Sequence, residues 1–327
     1  MFASNSLVEL ALSFQKSRIL LTACELRVFT VLGKGKKLSM EVARAIGASE
    51  RATDRLLNAL CAMGLLKKRG ILFSNTPTSS KFLGEDSPNF IRGLMHYVNM
   101  WDTWTDLTQA VRYGKSVSGR AISERGEKWL DAFIAAMHER AYKSASEVIK
   151  LLDLKKVSKV LDVGGGSGVY SMAFVRARKA ITAAVFDLPN VVPLTKKYIK
   201  TEGLSDKINT VAGDYNVDEF GSGFDLVFLS AIIHINSPDK NQALILKASQ
   251  GLNPGGQVVI QDFIMNEDRV RPDYGAIFAL NMLVATEEGD TYTESEVRDW
   301  MRKAGLVNII RKDTKFATTL IIGRKEG

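Results

Sequence analysis

The chain has 327 residues, 46% hydrophobic and 24% charged, the profile of an ordinary soluble globular protein with room for two domains and a sizeable core. Its two cysteines, Cys24 and Cys61, cannot build a disulfide framework, and no C-x-x-C or Cys/His cluster suggests zinc, so a reducing cytoplasm is the expected setting. The formal charge of +8 is unevenly spread: residues 1–95 hold 14 Lys and Arg against 7 Asp and Glu, and the remainder is nearly balanced, which confines any expectation of nucleic acid to the N-terminal third.

The opening stretch MFASNSLVELALSF has neither a basic leader nor a long apolar run, so no signal peptide is expected. No apolar run approaches the ~18 residues of a membrane span. Residues 1 to about 152 read as helices. LVELALSFQKSRILLTACEL spaces its apolar residues by three and four, as does MEVARAIGA, with Ser39 as the expected N-cap. SERATDRLLNALCAMGLL begins at a Ser49 cap and gathers Leu56, Leu57, Leu60, Met63 and Leu65 on one side. A basic turn, KKRG, and a small hairpin over ILFSNTPTSSKFL follow. Three helices and a wing form the winged-helix pattern. Its third helix has Arg51, Arg55 and Asn58 but otherwise turns apolar, whereas a groove-reading helix keeps a polar face, so packing is expected over DNA binding. Further helices over 89–150 contain Trp101, Trp104, Trp129 and Phe133.

Beyond residue 152 the pattern becomes short apolar strands alternating with helices: VSKVLDV, ITAAVFD, INTVAG, FDLVFLS, QVVIQDF, LVNIIR and ATTLIIG. This predicts an α/β fold, a doubly wound, mostly parallel seven-stranded sheet with ligands beyond the carboxyl ends of its strands. The first strand ends in VLDVGGGSG, where Asp162 precedes Gly164, Gly166 and Gly168. The dinucleotide fingerprint is not met, because Val169 occupies the place of its third glycine. The second strand ends in Asp187-Leu188, with a carboxylate placed to accept two ribose hydroxyls. The third ends in Asp214-Tyr215, where an adenine would lie. With no Walker lysine and no cations at the helix start, the three strand ends favour an adenosyl ligand without a phosphate chain. His234, one of three histidines, closes the run FDLVFLSAIIH; alone it is open to a structural, a metal-binding or a general-base reading.

VLDVGGGSG, FDLP, GDY, FDLVFLSAIIH, LNPGG and GDTYTESEV resemble the class I S-adenosylmethionine-dependent methyltransferases. More narrowly, the chain is similar over nearly its whole length to the small-molecule O-methyltransferase family that includes the plant caffeate and isoflavone, acetylserotonin and hydroxyneurosporene enzymes. The resemblance implies a winged-helix dimerisation domain over 1–95, a helical region lining the substrate over 96–152 and an S-adenosylmethionine-binding domain over 153–327. It implies that Gly164, Gly166 and Gly168 wrap the methionyl part of the donor, Asp187 holds its ribose and Asp214-Tyr215 frame its adenine, with Ser230 bordering it and Asp162 and Leu188 also among the donor-binding residues. Phe133 and Met137 match the family's F-x-x-x-M pair at the junction of donor and acceptor. Phe278, Asn281 and Met282 are expected in the acceptor pocket.

The resemblance also makes His234 the general base, with Asp262 where the plant enzymes place a glutamate behind it. Two positions depart from the family: Ile235-Asn236 replaces Asp-Trp, and the second glutamate falls on Thr291 or Asp290. The implied function is methyl transfer from S-adenosylmethionine to a hydroxyl of a phenolic or other planar small molecule, leaving S-adenosylhomocysteine, with no metal and as a homodimer. The alternatives are carbon or sulfur methylation on the same fold, or a winged-helix regulator that senses the donor.

Overall fold

The computed structural model describes residues 4–118 and 120–327, so the first three residues of the expected N-terminal domain lie outside the described residues. The chain divides into two units, Met1–Trp101 and Asp102–Gly327.

In the first unit the helix expected over 7–26 is two, Ser4–Leu12 and Phe14–Glu25. Ser13 breaks it: its hydroxyl and its N–H both donate to the Leu10 carbonyl, at 2.8 and 3.2 Å, a tight local turn that competes with the helical ladder. The helices Val28–Leu32, Ser39–Ile46 and Glu50–Ala62 follow. Ser39 lies inside its helix rather than capping it. The cap position is Leu38, whose N–H donates to Glu41 Oε2 at 2.7 Å. Ser49 does take the cap position of its helix, without a side-chain bond. Phe29, Leu32, Val42, Leu57, Leu60 and Phe73 form the core of this unit.

The basic segment Lys67-Lys68-Arg69 is strand, not turn. Strands β1 (Lys37–Leu38), β2 (Leu66–Arg69) and β3 (Leu72–Asn75) form an antiparallel sheet in the order β1-β3-β2, and Arg69 pairs with Leu72 across Gly70-Ile71. The hairpin therefore ends at Asn75. Thr76, whose Oγ1 accepts from the Ser79 N–H at 3.2 Å, caps a helix that begins on Pro77. Asn58 is bound within the unit: its Nδ2 donates to the carbonyl and carboxylate of Asp54, and its Oδ1 accepts from Lys68 Nζ at 2.8 Å.

The second unit is built on β4 (Lys159–Val163), β5 (Thr182–Asp187), β6 (Ile208–Ala212), β7 (Phe224–Ser230), β8 (Leu252–Asp262), β9 (Leu306–Asp313) and β10 (Thr319–Lys325). Their order is β6-β5-β4-β7-β8-β10-β9; β4 to β8 run parallel, and β10 runs antiparallel to both its neighbours. Alternate residues feed two cores. Leu161, Val163, Val227, Leu229, Val258 and Ile260 pack on one face, and Val160, Leu226, Phe228 and Val259 on the other. Among the described residues no helix is long and apolar enough to cross a membrane.

Parallel strands put their carboxyl ends along one edge, which is why Gly164, Asp187, Gly213-Asp214, Ser230 and Asp262 follow one another there. The edge is rigid because of what lies beneath it. Phe228 is fully buried, with its ring 4.9 Å from Tyr170 and edge-on to Phe174 at 5.4 Å and 82°. Phe228→Ala is expected to lower unfolding free energy by about 3–5 kcal/mol, the usual cost of emptying a packed phenyl site. Urea denaturation followed by circular dichroism checks this, and a loss below about 1 kcal/mol would show that the helical face collapses freely around the gap.

Candidate active site

Gly164, Gly166 and Gly168 all have positive φ, +62°, +56° and +75°. At Gly164 a Cβ would also overlap the side chain of Ile232, so conformation and space both select glycine there. The loop is pinned by the Gly164 N–H on the Phe186 carbonyl at 2.7 Å and by the Gly168 N–H on Gly165 at 2.8 Å, and the helix Val169–Ala177 starts from it. Asp162, expected to hold the donor, faces inward instead. It is wholly buried, and its Oδ2 accepts from the Ser171 hydroxyl at 2.7 Å and N–H at 3.2 Å. Burial pushes its carboxyl up to about 7, and the neighbouring charge of Asp187 adds to the shift.

Asp187, at the end of β5, accepts the Gly166 N–H at 2.7 Å on Oδ2 and the Leu188 N–H at 2.8 Å on Oδ1. Each oxygen keeps acceptor capacity. Burial pushes the carboxyl up to about 6, against the two backbone bonds that lower it. The Leu188 side chain joins Leu130, Ile134, Val191 and Phe133 in one apolar cluster. Asp214 holds a local turn, its Oδ1 accepting from the N–H and Nδ2 of Asn216 at 2.8 and 3.0 Å. The Tyr215 hydroxyl points elsewhere, donating to Asn236 Oδ1 at 3.0 Å. Ser230 donates to Gln261 Oε1 at 3.2 Å, and Ala231 then turns the chain with φ +57°, a left-handed conformation uncommon outside glycine.

That turn delivers the short helix Ile233–Ile235 and, within it, His234. Its Nδ1 lies 2.7 Å from Asp262 Oδ1, which also accepts the Phe263 N–H at 2.8 Å, while Asp262 Oδ2 is buried with no partner among the described residues. His234 is 7% exposed and Asp262 2%. A carboxylate only accepts, so Nδ1 is the donor of this pair, and the neutral ring in that tautomer has its lone pair on Nε2. The aspartate reaches the imidazole despite being one methylene shorter than the plant enzymes' glutamate.

Asn236, one of the departures from the family pattern, knits the turn together. Its Oδ1 takes the Tyr215 hydroxyl, its Nδ2 donates to Asn241 at 3.2 Å, and its carbonyl accepts the Tyr292 hydroxyl. The other departure gives no second carboxylate on the imidazole. Asp290 is 3.6 Å from Arg269, and Thr291 gives its carbonyl to the same arginine at 2.9 Å. That loop braces the histidine through backbone: a Cβ at Gly289 would overlap the His234 carbonyl oxygen.

The helix Asp273–Ala285 turns Phe278 edge-on to His234, with ring centres 4.9 Å apart at 87°; Phe263 lies 4.5 Å from Phe278. Asn281 accepts from Trp104 Nε1 at 2.9 Å, which supplies the partner its amide requires, and Met282 is 6% exposed. Phe133 and Met137 lie one turn apart on the helix Glu127–Tyr142, and Phe133 stacks on Trp129 at 5.1 Å. Two residues of this site escape sequence reasoning. Gly289 belongs to a motif, but its close approach is visible only in three dimensions. His138, next to Met137, sets Nδ1 2.9 Å from Ser167 Oγ of the glycine loop and stacks on Tyr198 at 4.4 Å. Burial lowers its pKa, which favours the neutral ring, against the nearby charge of Glu202. Among the described residues no group of three or more His, Cys, Asp or Glu could hold a metal ion.

Residues 104–307 match the family model of the O-methyltransferase domain, and residues 8–85 that of the O-methyltransferase dimerisation domain. The chain is 30% identical, over 98% of its length and 94% of the relative, to 3-hydroxy-5-methyl-1-naphthoate 3-O-methyltransferase of Streptomyces sahachiroi. Among solved structures it is similar to human N-acetylserotonin methyltransferase in complex with SAM, with a TM-score of 0.84, 26% identity and 100% of both chains covered. It is likewise similar to PigF with SAH, with a TM-score of 0.90, 25% identity and 99% and 100% covered.

Gly289→Ala forces the His234 turn or the 286–292 loop to move, and a displacement of about 1 Å in an aligned site can cost on the order of 10²-fold in rate. Turnover is expected to fall by that order while S-adenosylhomocysteine affinity, read by calorimetry, changes little; equal losses in both would place the damage in the fold.

Proposed function

The chain belongs to the O-methyltransferase family, whose methyl donor is S-adenosylmethionine, and from that premise we propose that it methylates a hydroxyl on a planar small molecule, with His234 as the general base. The observation that carries the proposal is the buried 2.7 Å contact of His234 Nδ1 with Asp262, at strand ends adjacent to those bearing the glycine loop and Asp187. The donor end suits a cationic ligand. Asp187 stands at the loop with Asp162 close enough beneath to feel its charge, and the first turn of the helix after the loop, Val169 to Met172, has no cation to match a phosphate. Gly164, Gly166, Gly168 and Asp187 would hold S-adenosylmethionine, with Leu188, Asp214, Tyr215, Ser230 and Phe133 around them and Asp162 supporting the loop from below. When bound, the donor supplies a methyl group on a sulfonium, already a strong electrophile.

What the chain adds is alignment and proton removal. Alignment of reactants is worth on the order of 7–11 kcal/mol, and a positioned base typically ~10²–10⁴-fold. His234 Nε2 takes the hydroxyl proton. Asp262 holds the ring in the needed tautomer and stabilises the imidazolium that forms. Phe278 and Met137 orient a flat acceptor and keep water from the base, with Asn281 and Met282 behind them.

The reading extends to the whole chain. Residues 1–95 pair two copies, 96–152 line the acceptor and 153–327 bind the donor. Leu7, Val8, Leu10, Leu12 and Phe14, exposed by 49–60%, support a second copy over nucleic acid, as does the engagement of Asn58. The free thiols of Cys24 and Cys61 support a cytoplasmic setting.

His234→Ala is expected to lower turnover of a phenolic acceptor by ~10²–10⁴ with S-adenosylhomocysteine affinity preserved. Retained turnover would remove the histidine from the chemistry. Donor binding should depend on pH through Asp187. The ionised carboxylate accepts the ribose hydroxyls, so affinity is full above a carboxyl pKa of about 6 and declines as the pH falls through it. Asp187→Asn should weaken binding and flatten that profile in calorimetric titrations; an unchanged profile would assign the pH dependence to another group.

A further inference from the structure

Arg140 brings to the candidate site a charge that the methyl transfer leaves unused. It follows Phe133 and Met137 at i+7 and i+3 on the helix Glu127–Tyr142, which puts the three on one face. Its guanidinium carbon lies 4.8 Å from the centre of the Phe263 ring and 5.8 Å from that of Tyr274. Those rings are the outer members of the cluster around the base: Phe263 is 6.2 Å from His234 and 4.5 Å from Phe278, and Tyr274 is 5.2 Å from Phe263. The cation therefore stands one ring away from the imidazole, at the acceptor end and away from the acids of the glycine loop.

Its partners are rings, not carboxylates. Arg269, Arg298 and Arg311 each rest on a glutamate. Arg140 rests on ring faces, and among the described residues no carboxylate pairs with it. Ring stacking fixes the plane of a guanidinium while leaving its N–H edge free, the edge that matches a carboxylate with two parallel hydrogen bonds.

We infer that Arg140 selects acceptors bearing a carboxylate, so that the substrate class is a hydroxylated aromatic acid whose hydroxyl meets His234 while its acid group lies on the guanidinium. This rests on the reading of the site as a methyltransferase centre with His234 as base. The carboxylate is a spectator: no bond to it forms or breaks, and the methyl group goes to the hydroxyl oxygen alone. Phe263 and Phe278 would contact the aromatic body, and Arg140 would fix which of its hydroxyls points at the base.

The test uses the full chain with S-adenosylhomocysteine bound, titrated with a hydroxynaphthoate and with the naphthol that lacks only the carboxylate, in wild type, Arg140→Gln and Arg140→Lys. Wild type is expected to bind the hydroxynaphthoate at least about tenfold more tightly, the usual scale for a hydrogen bond to a charged group. In Arg140→Gln the ratio of the two affinities should collapse toward one. In Arg140→Lys, which keeps charge but not the planar fork, part of it should survive. A preference that persists in Arg140→Gln, or a wild type that binds both compounds alike, overturns the inference. If neither compound binds while S-adenosylhomocysteine does, the acceptor class is wrong and the donor site stands. If S-adenosylhomocysteine itself fails to bind, the methyltransferase reading falls and the role of Arg140 falls with it.

Discussion

Parallel pairing of β7 with β8 sets Ser230 opposite Gln261, and the chemistry of the second unit hangs on that register. His234 follows four residues after the end of β7, and Asp262 closes β8, so the pairing decides whether their side chains meet. Successive residues of a strand face opposite ways, and a slip of one would exchange Asp262 with Gln261 and leave the imidazole beside an amide. The register is held by Val227, Leu229, Val258 and Ile260 on one face and Leu226, Phe228 and Val259 on the other, all buried. A hydrogen bond between two side chains is thus maintained by an apolar pattern many residues long. Because leaving a buried hydrogen-bonding group without its partner costs about 1–3 kcal/mol, the pairing and the fold sustain each other.

The site has two electrical characters along one edge. At the loop after β4, two carboxyls are raised by burial, Asp162 in small part also by the charge of Asp187, and acids there suit a cation better than a phosphate. Around His234 the surroundings are rings: Phe263, Tyr274 and Phe278, with Arg140 stacked outside. A sulfonium and an acid-bearing aromatic would each meet the end that complements it. The helix Glu127–Tyr142 touches both, through His138 on Ser167 and through Arg140 on Phe263. The two ends are in this way spaced by one rigid element, not by a loop.

The sheet was legible because parallel strands buried on both faces are written as continuous apolar runs, and all seven were found with ends off by a few residues. The acids at strand ends were legible for the same reason, since the ends of strands mark the edge where ligands bind. Local punctuation was harder. Lys67-Lys68-Arg69 read as a turn because a run of exposed cations resembles one, yet it forms an edge strand whose three cations all lie in water. Ser13 broke a helix whose periodicity continued straight through it. Asp162 read as a ligand because sequence shows an acid beside a glycine loop but not which way it faces. Gly289 and His138 depend on contacts 55 and 29 residues away in sequence, and no local pattern encodes such meetings.

Asn236 bears on how the protein behaves in alkali. The turn that presents His234 is tied by two phenolic hydroxyls, those of Tyr215 and Tyr292. Burial pushes Tyr215 up to about 12, and burial with the nearby Asp290 and Glu296 pushes Tyr292 upward as well. Both stay protonated where an ordinary tyrosine, near ~10, begins to ionise. Their contribution to stability is complete below that ordinary value and drains away only as the pH climbs from there toward 12. Both hydroxyls go on donating in the folded chain over the range in which a free phenol loses its proton, so a basic solution can ionise the guest while the bonds that frame the imidazole persist.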